Sequence, residues 1–213
     1  MDKQNRGSGR RWSRKKTLGL VAVLLAGALV APLWSTRMEA PQYRNEEALR
    51  VTVYAGHVSG DIEEINTLNQ YVGVHLPLDT PELKAAPFVL SGLLIVALIA
   101  VALPQSRLRA GAMLLLASLT IAGGVGAGLL QYRLYQMGHV RDRAIMEGVP
   151  DFTPPILGTA KIANFTVTMS LGLGGWAYLT AVVLTGFAVF AESSAQEVVD
   201  ATGTHDRTAP SGA

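Results

Sequence analysis

Four long stretches of this chain contain no Asp, Glu, Lys, Arg or His: residues 17–34, 87–104, 110–130 and 167–191. A helix needs about 20 predominantly apolar residues to cross the ~30 Å of a bilayer's hydrocarbon. Each run is close to that length, so the sequence predicts an all-α membrane protein with four transmembrane helices. Composition agrees, with 49% hydrophobic and only 16% charged residues, where soluble domains carry about a quarter charged.

Basic residues give the expected orientation, because they are retained on the cytoplasmic side. Residues 1–16 form a basic tail carrying Lys3, Arg6, Arg10, Arg11, Arg14, Lys15 and Lys16 against Asp2 alone. The short connection after Pro104 holds Arg107 and Arg109 and no acid. Both segments belong inside, and an even number of spans makes N-in and C-in consistent. Residues 35–86 and 131–166 are then outside loops, and residues 192–213 form a cytoplasmic tail whose Ala, Ser, Thr and Gly content predicts disorder. The expected address is a bacterial inner (cytoplasmic) membrane. A competing reading makes the first run a signal peptide, with Ala26 and Ala28 as small residues near a cleavage site and Arg10-Arg11 as a twin-arginine pair. The run continues to Trp34, a type of residue favoured at membrane interfaces, and an uncleaved anchor is the expectation.

The outside loops carry most of the local signals. Leu49, Val51 and Val53 alternate with Arg50, Thr52 and Tyr54, which predicts a strand. Asp61 followed by Glu64 has the spacing of a capping box, and Ile62, Ile65, Leu68 and Val72 then recur at helical spacing. The first loop is thus expected to be a small strand plus an amphipathic helix. Asn69 falls inside the apolar stripe and Asn66 at its edge. A buried amide needs hydrogen-bond partners, so the two asparagines either meet water and headgroups at the interface or dock a protein partner. In the second loop Tyr132, Tyr135, His139 and Met146 share a helical face if the third helix runs on through Gly138. Pro150, Pro154 and Pro155 then predict an extended approach to the last span.

Inside the spans, Gly124 and Gly128 form a small-xxx-small pair suited to close helix packing, within the chain or with a partner subunit. Further glycines sit at positions 172, 174 and 175. Polar groups such as Ser91, Ser118, Thr120, Ser170, Thr180 and Thr185 can bond their own helix backbones. Proton relays and ion pathways mark themselves by intramembrane charges, and the runs contain none. No HExxH, GxSxG or P-loop occurs, and the His57, Ser59, Asp61 group reads as a solvated turn, so the chain is not expected to be an enzyme. A net charge of +2 gives no reason to expect nucleic acid. The expected partners are the lipid bilayer and a membrane or extracytoplasmic protein.

No cysteine is present, so any metal site must use other ligands. His57, His75 and His139 lie in the outside loops, with Met137 and Met146 nearby. Imidazole and thioether together suit copper, and no other cofactor is implied. The alternative is that these side chains are solvated or structural.

Two stretches, DIEEINTLNQYVG from Asp61 and FTPPILGTAKIANF from Phe152, resemble motifs of small uncharacterised membrane proteins found with bacterial copper-handling and nitrous-oxide-reductase accessory proteins. The resemblance covers these motifs and the span layout. It implies a non-enzymatic accessory or scaffold protein that assists assembly or copper supply of a partner outside the membrane. A structural subunit of a larger membrane complex, or a permease component working with partners, is the alternative. In those relatives a His and a Met stand near the end of the first motif, where this chain has Gln70 and Val74.

Charge asymmetry makes the topology testable. Reporters fused after Arg109 and in the C-terminal tail should read cytoplasmic, and those near Asn66 and Pro150 exported. An exported signal at Arg109 would overturn the assignment.

Overall fold

A computed structural model describes residues 14–39, 48–72, 80–139, 152–162 and 165–190. The 192–213 tail, and all but the last three residues of the basic tail, lie outside the described residues. Four long helices form a bundle: α1 (Arg14–Val30), α3 (Pro81–Ala102), α4 (Leu108–His139) and α5 (Leu173–Phe190). The short α2 (Ile62–Val72) lies outside it. Three of the long helices (α3, α5 and α4 with the 3-10 turn before it) are long and apolar enough to cross a membrane. This is a membrane protein, and α1 packs as the fourth member of the bundle.

The packing order is cyclic. α1 lies against α5 and α3, and α4 against α3 and α5, so every close neighbour is antiparallel. Leu18, Val21 and Leu25 of α1 meet Leu108, Leu115 and Leu119 of α4 in the fully buried centre. Lipid is as apolar as leucine, so close packing and hydrogen bonds hold such a bundle rather than exclusion from water. Tyr178 of α5 donates its hydroxyl to the Leu119 carbonyl at 2.6 Å. Ser118, Thr120, Thr180 and Thr185 each bond the carbonyl four residues back.

The all-α expectation needs correction. Five strands form one antiparallel sheet in the order β3-β2-β1-β5-β4: β1 (Trp34–Glu39), β2 (Leu49–Val53), β3 (Val58–Gly60), β4 (Gly158–Ile162) and β5 (Phe165–Leu171). Only β2 was expected. The sheet takes strands from the two loops that join α1 to α3 and α4 to α5, and its central pair joins them, Trp34 opposite Leu171 through Glu39 opposite Thr166. Edges of the spans move accordingly. The run beginning at residue 167 is strand to Leu171, and its helix starts only at Leu173. α3 starts at Pro81, capped by Thr80 accepting from the Leu83 amide at 3.3 Å, and Pro87 lies inside it. α4 does continue through Gly138, to His139.

Strand and long helix are fused twice. α1 reaches β1 through Ala31–Leu33, and β5 reaches α5 through Gly172. At this crossing the Gly172 amide donates to the Leu33 carbonyl (3.1 Å), and Gly174 to Pro32 (2.8 Å). A Cβ at Gly172 would overlap the Pro32 carbonyl, and one at Gly175 the Leu33 carbonyl. No side chain fits between these backbones.

The glycines of α4 divide differently from expectation. A Cβ at Gly123 would press on the Tyr178 ring at 3.1 Å, whereas Gly124 and Gly128 are exposed with nothing within 4 Å. Any contact that pair lines is made beyond the described residues of this chain. Gly175→Val should therefore abolish folded yield, and Gly123→Leu should cost about 1–3 kcal/mol. Gly128→Leu should leave the unfolding temperature of the isolated chain in detergent unchanged. Equal losses at Gly123 and Gly128 would contradict this packing.

Candidate functional site

Strand periodicity gives the sheet two unlike faces. One carries Trp34, Thr36 and Met38 of β1, Leu49, Val51 and Val53 of β2, and Val167 and Met169 of β5. Trp34, Val167 and Met169 are buried there, with Met38, Val53 and Leu130 of α4 packed around them. The Trp34 indole donates to the Ile156 carbonyl at 2.7 Å. A residue of an interfacial type thus belongs to the small core beneath the sheet.

The other face is polar across all five strands. Ser59, Thr52, Ser35 and Ser170 form one cross-strand row, and Arg50, Arg37, Thr168 and Thr159 the next. Glu39, Thr166 and Lys161 follow. All are exposed or half-buried. The Ser35 and Ser170 hydroxyls lie 3.0 Å apart, and those of Thr159 and Thr168 3.3 Å. Arg37 stands directly opposite Arg50, and Glu39 pairs with Arg37 at 2.8 Å. Like charges opposite each other in a sheet are unfavourable, so this pair is relieved by Glu39 on one side and open to an acidic group on the other. Sequence reading missed this face; the alternation Thr166, Thr168, Ser170 was the signal available for it.

Helix α2 sits beside the sheet, with Ile65 only 2% exposed. Its apolar stripe is thus used at least partly within the chain. The Asp61 carboxylate accepts from the Arg50 amide at 2.8 Å, tying the helix start to β2. Asn66 is half-buried on α2, and the side chain of Asn69 lies outside the described residues. Near the C-terminal end of α4, Arg133 grips both carboxylate oxygens of Glu82 at 2.8 and 3.1 Å, joining α4 to the start of α3. Both side chains are about 30% exposed (31% and 29%), so solvent screens the pair.

The candidate copper residues are dispersed. His57 lies at the β2–β3 turn, stacked on Tyr54 with centroids 4.7 Å apart, and the neighbouring Gly56 faces Pro87. His139 ends α4, stacked on Tyr135 at 4.0 Å, with Nδ1 3.0 Å from the Tyr135 carbonyl oxygen. Met137 is half-buried on α4, and His75 and Met146 lie outside the described residues. No group of three or more His, Asp or Glu that could hold a metal occurs among the described residues.

No protein-family model and no curated protein matches this chain. Residue geometry is therefore the basis for any functional reading.

The Trp34 indole makes a structural prediction for this site. Trp34→Phe removes the bond to Ile156 while keeping an aromatic ring, and should cost about 1–2 kcal/mol. Thermal unfolding should register that loss, and hydrogen exchange should quicken in β1 and β5. Unchanged exchange would mean that the loop is held by other contacts.

Proposed function

We propose that this is a non-enzymatic accessory or scaffold protein of a bacterial inner membrane, N-in and C-in, which holds a protein partner outside the membrane. The observation carrying this reading is the polar sheet face, a row-by-row array of hydroxyls with Arg37, Arg50 and Lys161. A surface of this kind fits a polar, acidic docking face, and its fusion to α1 and α5 gives the partner a fixed position near the bilayer. Asn66 and Asn69 on α2 would extend the contact. Photo-crosslinkers at Thr52 and Thr168, on the same face, should yield one and the same discrete adduct in native membranes. Arg37→Glu with Arg50→Glu should weaken that adduct about tenfold or more, since charge reversal meets like charge at the interface. Absence of a shared adduct would remove the reading.

The resemblance of the Asp61 and Phe152 motifs to proteins of copper-handling systems supports a narrower version, in which the scaffold assists copper supply. His57, His75, His139, Met137 and Met146 are the residues proposed to take part. The dispersal of the described ones favours transient contact over a resident ion. Copper bound after loading should fall to background when the three histidines become alanine. No copper above that triple variant would eliminate the metal role.

The exposed Gly124 and Gly128 favour a second reading, a structural subunit packed through α4 in a larger complex. In that case Gly128→Leu should break co-purification while leaving the chain folded.

A further inference from the structure

At the end of the bundle opposite the sheet, α1 and α3 leave a groove of about 350 Å³ between them. Gly19, Ala22, Val23 and Ala26 of α1 line one wall, and Leu98 and Val101 of α3 the other. Every lining residue is apolar, and the groove opens outward: Val23 is 66% and Leu98 54% exposed. It faces the bilayer. Lys15 and Lys16 precede Gly19 by four and three residues in α1, so they continue the same helix face by one turn. Arg107 stands in the 3-10 turn that follows α3, a few residues past Val101. The two lysines thus extend the α1 wall of the slot by one turn, and Arg107 lies just past the end of its α3 wall.

Among the described residues none of these three cations is paired with a carboxylate. The neighbouring Arg14 is engaged otherwise, donating from Nε to the Ala188 carbonyl of α5 at 2.7 Å. Cations near a bilayer surface attract anionic headgroups, and long basic side chains extend toward that surface from a helix end. A zwitterionic headgroup would satisfy the groove but leave the charges uncompensated.

We propose that this groove and its basic mouth form a binding site for an anionic phospholipid, one acyl chain lying along the slot and the phosphate held by Lys15, Lys16 and Arg107. The site is independent of the docking face on the sheet and of the copper reading.

The test uses the full chain in mild detergent and native mass spectrometry, with phosphatidylglycerol and phosphatidylcholine of matched chains as probes. Wild type should retain one phosphatidylglycerol about tenfold more strongly than phosphatidylcholine. Lys15→Gln, Lys16→Gln and Arg107→Gln together should abolish that preference. Gly19→Leu should lower phosphatidylglycerol retention several-fold, because its added side chain enters the slot from a position where a Cβ meets nothing within 4 Å. Excess inorganic phosphate should fail to displace the lipid. Equal retention of the two lipids would overturn the proposal, as would displacement by phosphate or wild-type retention by Gly19→Leu. Should the charge variant fail to insert, the wild-type lipid comparison and Gly19→Leu decide the matter alone.

Discussion

A chain leaving the bilayer must immediately find partners for backbone groups that its helix no longer satisfies, since an unpaired buried amide or carbonyl is costly. Here the first and last long helices solve that problem for each other. Leu33 donates to the Val53 carbonyl and accepts from Gly172, while Pro32 accepts from Gly174. The two chains touch backbone to backbone because Gly172 and Gly175 bring no side chain to the contact. From that crossing β1 and β5 run on as paired strands, and α1 and α5 run the other way as packed helices.

The remaining elements are arranged around this crossing. β2 and β3 add to the free edge of β1, and β4 to that of β5. α3 and α4 complete the bundle, and at its sheet end smaller ties join them to each other and to the sheet. Arg133 binds Glu82, and the segment before β4 crosses α4, where the Gln131 amide reaches the Pro154 carbonyl at 3.4 Å. Trp34 joins that segment to the sheet through Ile156. A lost tie at this level removes one or two bonds, whereas a side chain at the crossing displaces both the sheet and the bundle.

Much of this was legible in the sequence, and the rest was hidden for identifiable reasons. Helices in lipid announce themselves by uncharged runs, and Leu49, Val51 and Val53 alternate cleanly enough to mark β2. β5 was concealed because Val167, Met169 and Leu171 adjoin the apolar run of α5 and read as its beginning. Its polar members alternate at period two, but only pairing with β1, more than a hundred residues earlier, makes that alternation a strand. β1 itself is six residues with one arginine and one glutamate, too short and too polar to stand out. The glycines show the same limit. Spacing picked out Gly124 and Gly128, while the packing selects Gly123, because only the position of Tyr178 decides which glycine is needed.

The fusion of strand to long helix also constrains how a partner on the sheet could act on this protein. A partner resting on the polar face would bear on β1 and β5, and those strands continue without a linker into α1 and α5. Its load would pass to the most extensively packed helix pair of the bundle, not to α3 and α4. The exposed glycine face of α4 lies on the other pair, which meets the sheet through Leu130 packed against Trp34 and through the residue 152–157 segment held by Trp34 and Gln131. The architecture thus puts both strand-to-helix fusions on α1 and α5, while α3 and α4 are positioned by the buried core that all four long helices share.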